Sequence, residues 1–68
     1  MSNTNATART AHKQAASEHQ SCAEHHTKAA ECHDKGKLDE AKASSNSAMK
    51  CCETAGKKSA TACGCSSN

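Results

Sequence analysis

Cysteine (six) and histidine (five) are the residues of this 68-residue chain whose chemistry and spacing stand out. His12, His19, His26 and His33 recur every seven residues, and Cys22 falls among them. Thiolate and imidazole are the ligands of tetrahedral zinc sites, and soft thiolates also select Cu(I). Side chains at i, i+3 and i+4 share one face of a helix, so His19, Cys22 and His26 form a ligand ladder if their segment is helical. Further along lie Cys51-Cys52 and Cys63-Gly64-Cys65. Neighbouring helical positions point about 100° apart, so of Cys51 and Cys52 one ligates while the other stays idle. Two thiols separated by glycine can bite one ion or bridge two. His25 and Cys32 would nucleate a second site together with His26 or His33.

Each of these residues has a blander reading. A histidine on a polar helix is ordinarily solvated, and a cysteine such as Cys22 or Cys32 packs as a small hydrophobe. Composition tips the balance towards ligation. The chain has no Phe, Trp, Tyr, Val or Ile, and Leu38 and Met49 are its only large apolar residues apart from Met1. The rest of its apolar content is alanine and cysteine. Ordering the backbone costs roughly 1–2 kcal/mol per residue, whereas a buried methylene returns about 0.8 kcal/mol. An alanine seam alone does not stabilise a compact fold, and scaffolds of this size rely on disulfides, a metal or self-association.

The net charge is +2 with histidine neutral, which gives no basic patch for nucleic acid. No aromatic ring is present to stack on bases, and Arg9 is the only arginine. No stretch is apolar enough to span a membrane. The opening Met1-Ser2-Asn3-Thr4-Asn5 has neither a basic n-region nor an apolar h-region, so the expected location is the cytoplasm, where thiols stay reduced. Clustered reduced cysteines read first as metal ligands.

The ligands need elements to position them, and the sequence predicts an all-α fold. A first helix spans about 6–34, rich in Ala, Glu, Gln and Lys, with Asn5 or Thr4 as its N-cap. Asp34-Lys35-Gly36-Lys37 reads as its stop, with Gly36 in the left-handed position. A second helix spans about 38–55, opened by Asp39-Glu40 and closed by Gly56. Lys57 to Asn68 reads as a cysteine-containing tail, and residues 1–5 and 66–68 as mobile ends. So short a connection makes the helices antiparallel. The histidines take position a of an a/d/e stripe, with Ala15, Cys22 and Ala29 at d and Ala16, Ala23 and Ala30 at e. Facing residues have numbers summing to about 71, to within one turn, so that His19 meets Cys52 and the tail folds back over them. The expected first site is His19, Cys22, Cys52 and Cys63 or Cys65, with Cys51 as competitor.

The stretch Glu18–Ala55, above all His25-His26-Thr27-Lys28-Ala29-Ala30-Glu31-Cys32-His33 and Gly36-Lys37-Leu38-Asp39-Glu40-Ala41, resembles the small bacterial His-rich helical-hairpin metal-binding proteins, in which a four-helix bundle is the usual arrangement. The Cys-Gly-Cys end resembles a metallothionein segment. The resemblance covers a little over half the chain and implies that His12, His19, His26 and His33 are ligands. Cysteine at Cys22 and Cys32, and a second helix without histidine, depart from that pattern and shift the expected ion from Cu(II) to Zn²⁺ or Cu(I).

The expectation is therefore one domain, residues 1–68. It is an antiparallel hairpin able to dimerise into a four-helix bundle, and it buffers or sequesters Zn²⁺ or Cu(I). Its partners are the ion and a second copy, not nucleic acid or membrane. The chain lacks the bulk to build a substrate cavity, so it does not read as an enzyme. Two rival readings are a disulfide-stapled helical interaction peptide, with Cys22–Cys52 as the favoured pair, and a structural helix partner of another chain.

Overall fold

In the computed structural model, described for residues 2–67, the chain is two antiparallel helices, α1 (Ser2–Asp34) and α2 (Leu38–Ser67). Met1 and Asn68, at the extremes of the segments expected to be mobile, lie outside the described residues. The Cα trace measures 53 × 13 × 11 Å, a rod one hairpin thick. No helix among the described residues is long and apolar enough to cross a membrane.

The connection forms as the sequence predicts. Gly36 has φ 73°, a conformation that costs an L-residue with a Cβ roughly 1–2 kcal/mol. Around it, the Lys37 N–H donates to the Cys32 carbonyl at 2.8 Å and the Gly36 N–H to the His33 carbonyl at 3.0 Å. These are the two bonds of a Schellman stop, which satisfy carbonyls that the last turn of α1 leaves orphaned. The Lys37 carbonyl in turn accepts from the Ala41 N–H. Asp39 and Glu40 lie in the first turn of α2, beside the positive end of its dipole.

What joins the helices is a seam of small residues at seven-residue spacing. Ala41, Ala48, Ala55 and Ala62 of α2 are completely buried, against buried Ala15, Cys22, Ala29 and Cys32 of α1. Ser44 is buried beside them, and Ala11, Glu18 and His25 are half-buried along the α1 side. The period is that of a coiled coil, but its phase differs from the one expected. His12, His19, His26 and His33, placed at a, are exposed, as are Ala16, Ala23 and Ala30. The seam turns instead through Ala11, Glu18, His25 and Cys32, of which Cys32 is buried and the other three are half-buried.

Two boundaries also move. α1 starts at Ser2, so Thr4 and Asn5 lie within the helix and do not cap it. Gly56 does not end α2, and the expected tail is its last three turns. Extending α2 past Gly56 carries the alanine row on to Ala62, which is fully buried. The helix continues through two glycines, each about 0.5–1 kcal/mol worse than alanine in a helix, and the buried Ala62 methyl, worth about 0.8 kcal/mol, recovers part of that cost.

The glycines thus have opposite requirements. A Cβ at Gly56 meets nothing within 4 Å and its φ is helical, whereas Gly36 needs its positive φ. Gly56→Ala is expected to raise, and Gly36→Ala to lower, the thermal midpoint, each by several degrees, about 1 kcal/mol in a domain of this size. Melting curves of both variants in one buffer check this, and a lower midpoint for Gly56→Ala would contradict a continuous α2.

Candidate metal centre

The site assembles where the seam meets the histidine edge. Cys22 and His26 are four residues apart on α1, hence one turn apart on one face. Cys52 approaches from α2, its Cα 5.6 Å from that of Cys22. The ligand atoms of Cys22, His26 and Cys52 all lie within 4.8 Å of one another. Cys22 is buried, and Cys52 and His26 are exposed, so the cluster has a floor and an open side.

Its dimensions fit a metal. His26 Nε2 and Cys52 Sγ are 3.5 Å apart. Zn–S and Zn–N bonds of about 2.3 and 2.0–2.1 Å at a tetrahedral angle put sulfur and nitrogen about 3.5 Å apart. The sulfurs of Cys22 and Cys52 lie at bonding distance and are joined as a disulfide. The two thiolates can therefore take each other or one ion, but not both. The Ala48 carbonyl oxygen, 3.8 Å from Cys22 Sγ, supplies a polar neighbour on the buried side.

The register decides between the adjacent cysteines. Cys51 points to the opposite side of the hairpin, where its thiol donates to Ser21 Oγ at 3.3 Å; Cys52 alone of the pair enters the cluster. Cys22 faces Cys52 directly, about one turn from the expected sum of 71, so His26 takes the place expected of His19. His19 Nε2 instead hydrogen-bonds Ser59 Oγ at 2.7 Å, and His12 Nε2 hydrogen-bonds Ser66 Oγ at 2.7 Å. The ladder has three such rungs, His12–Ser66, His19–Ser59 and His26–Cys52. Ser45 stands at the same interval opposite exposed His33.

The remaining sequence-predicted ligands lie elsewhere. Cys63 and Cys65 are carried along the continuous α2, roughly 16 and 20 Å beyond Cys52 at 1.5 Å per residue. A fold-back that closes the site with either is therefore excluded. Cys32 is buried near the turn and His25 is half-buried in the seam. Among the described residues, Cys22, His26 and Cys52 form the one group of three or more possible ligands that converges, so the second site around His25 and Cys32 does not assemble. The serine rungs escaped the sequence reading, although Ser45, Cys52, Ser59 and Ser66 repeat every seven residues, as the histidines do.

This geometry separates neighbouring residues experimentally. In reductant, Cys22→Ser, Cys52→Ser and His26→Ala are each expected to weaken zinc binding at least tenfold, and Cys51→Ser less than twofold. Cys22→Ser with Cys52→Ser is expected to lose much less than the sum of the singles, because residues sharing one site are not additive. Competition with a chromophoric chelator reads all five; equal losses for Cys51→Ser and Cys52→Ser would contradict the register.

Comparison with known protein families, with curated proteins and with solved structures finds no match to this chain.

Proposed function

We propose that this protein binds a soft metal ion, Zn²⁺ or Cu(I), at Cys22, His26 and Cys52, and that it serves to buffer or sequester that ion in a reducing cytoplasm. The observation that carries the reading is the convergence of two thiols and one imidazole, from two helices, within 4.8 Å. Charge supports Zn²⁺ in particular. Two thiolates neutralise a divalent ion, so the loaded site is neutral and needs no counter-charge around it. Cu(I), which favours thiolates, would leave one net negative charge at the same ligands.

Binding and not catalysis is the activity proposed. Cys52 and His26 are exposed, so nothing encloses a substrate above the ion, and a catalytic metal needs a shaped and dry cavity. Nucleic acid is not a proposed partner, since the chain offers no aromatic ring and a single arginine.

A second reading has its own observation. The Cys22–Cys52 bond staples the hairpin near its middle. Closing a loop of 30 residues restricts the unfolded chain by roughly 3–4 kcal/mol. Under oxidising conditions the protein would be a stapled helical hairpin presenting its surface to a partner. A thiol count on freshly purified protein divides the readings, with six thiols for the metal-binding form and four for the stapled one.

Linkage gives the main test. With an alanine seam as its core, the reduced hairpin depends on a cross-link between its helices, and metal binding supplies one. Circular dichroism in reductant is expected to show lower helicity and a lower thermal midpoint after addition of a strong chelator. Oxidation to the disulfide is expected to restore both without metal. Identical melting curves with and without chelator would overturn the proposal.

A further inference from the structure

The hairpin has two broad sides, and its charges avoid one of them. On the side of the histidine ladder, the positions between successive histidines are Ala16, Ala23 and Ala30. Those between the facing residues of α2 are Met49, Gly56 and Cys63. From His12 to His33 and from Ser45 to Ser66, no position on this side carries Lys, Arg, Asp or Glu, although the chain has nine basic and seven acidic residues; Arg9 and Lys42, one heptad before Ala16 and Met49, bound the uncharged stretch. The two large apolar side chains of the described residues both stand on this side. Met49 is 57% exposed, and Leu38, one heptad before Ser45, is 55% exposed. A lone exposed leucine is ordinary. Here both large apolar residues are left out of the seam; Met49 stands in the uncharged stretch one turn from Cys52, at the open edge of the metal cluster, while Leu38 stands by the turn, beyond Lys42.

We infer that this side docks a second copy of the chain, and that the second copy completes the coordination of the ion. The inference rests on the metal-binding reading above. Three ligands leave a tetrahedral ion one short, and the missing position opens onto this surface, because Cys52 and His26 are exposed there. The area suffices. Residues 12–33 extend about 32 Å, and two helices side by side are about 20 Å across. That is roughly 600 Å² per copy, and a pair clears the approximately 1,000 Å² in total expected of a specific interface.

The pattern favours a like partner. When two hairpins pack about a two-fold axis parallel to their helices, with both turns at one end, α1 of each covers α2 of the other level by level. Ala23 then faces Gly56 of the second copy and Ala30 faces its Met49, large against small. His26 faces Cys52 of the second copy, and the two Met49 side chains pack one turn from the ligands, towards the turn end. The two ligand clusters come to one level, four thiolates and two imidazoles in all. Each ion takes Cys22, His26 and Cys52 of its own chain and Cys52 of the other, so that both Cys52 sulfurs bridge. Two Zn²⁺ and four thiolates sum to zero, in keeping with a surface without charged neighbours. A different protein would have to reproduce the seven-residue rungs and supply the missing thiolate, which a second copy does by symmetry.

The test uses the full chain, reduced, with Zn²⁺, studied by native mass spectrometry and sedimentation equilibrium. Ala23→Glu puts a charge at the centre of the proposed interface, Met49→Glu does so from the other helix, and Ser17→Glu puts one away from it. All three positions are exposed and helical, and glutamate is a good helix former. The expected result is two chains with two zinc ions for the unmodified protein and for Ser17→Glu. Ala23→Glu and Met49→Glu are expected to give single chains that bind zinc roughly ten- to a hundredfold more weakly, the scale on which loss of a supporting partner weakens a metal site. Monomers that hold zinc at full affinity would overturn the shared site and leave the Cys22, His26 and Cys52 assignment standing. Dimers that persist in both glutamate variants would overturn the proposed surface. Absence of zinc binding in every protein would overturn the metal reading, and the shared site with it.

Discussion

The close approach of the two helices is the constraint on which the rest depends. Ala41, Ala48, Ala55 and Ala62 are fully buried and offer one methyl each to the contact. With side chains so small the backbones come near, and the Cα atoms of Cys22 and Cys52 lie 5.6 Å apart. Larger side chains in the contact would push the helices towards the wide end of the usual range of interaxial distances, about 8–10 Å, and move facing Cα atoms apart by the same amount, towards the limit a disulfide can span. The same smallness leaves the seam weak. A buried methyl is worth only about 0.8 kcal/mol against roughly 1–2 kcal/mol of backbone entropy per residue. The geometry that brings the sulfurs together is thus also what makes the hairpin need a link between them.

Much of the architecture was legible because it rests on local chemistry. Gly36 follows a helical run without Gly or Pro and precedes an acidic first turn, and those signals suffice to place the turn and an antiparallel partner. Phase was harder. Histidines every seven residues establish a heptad, yet a strict period is equally compatible with any of the seven positions. Two alanine rows, one through Ala15 and Ala29 and one through Ala16, Ala23 and Ala30, lie side by side in the sequence. Only burial distinguishes them, and burial depends on which row lets α2 close in. Glu18 and His25 look out of place in a seam, but their half-buried stems line its edge, as amphipathic side chains do.

Gly56 misled for a related reason. Glycine after a helical run followed by lysines is a reasonable local stop signal, which tertiary packing overrides here. The row Ala41, Ala48, Ala55 and Ala62 runs through it unbroken. α1 reaches back to Ser2 and offers a partner surface for that whole length. The consequence for the site is direct. With α2 helical to Ser67, Cys63 and Cys65 are held away from the cluster, so a folded-back tail does not contribute to it.

The cluster can also change its chemistry without changing the fold. A disulfide tolerates Cα separations of about 4.4–6.8 Å, and the 5.6 Å between Cys22 and Cys52 lies inside that range. Around one zinc ion the same two sulfurs sit about 3.8 Å apart, given bonds of about 2.3 Å at a tetrahedral angle. Rotation about the Cα–Cβ bonds of the two cysteines accommodates that difference while the helices stay in place. His26, at 3.5 Å from Cys52 Sγ, is already placed for the ion and has no covalent role in the disulfide. Oxidation therefore removes two of three ligands at once and leaves an exposed imidazole too weak to hold zinc alone. On the proposed reading the backbone is common to both states, and the choice between them would fall to the oxidant and the metal supply around the protein, with the hairpin cross-linked in either case.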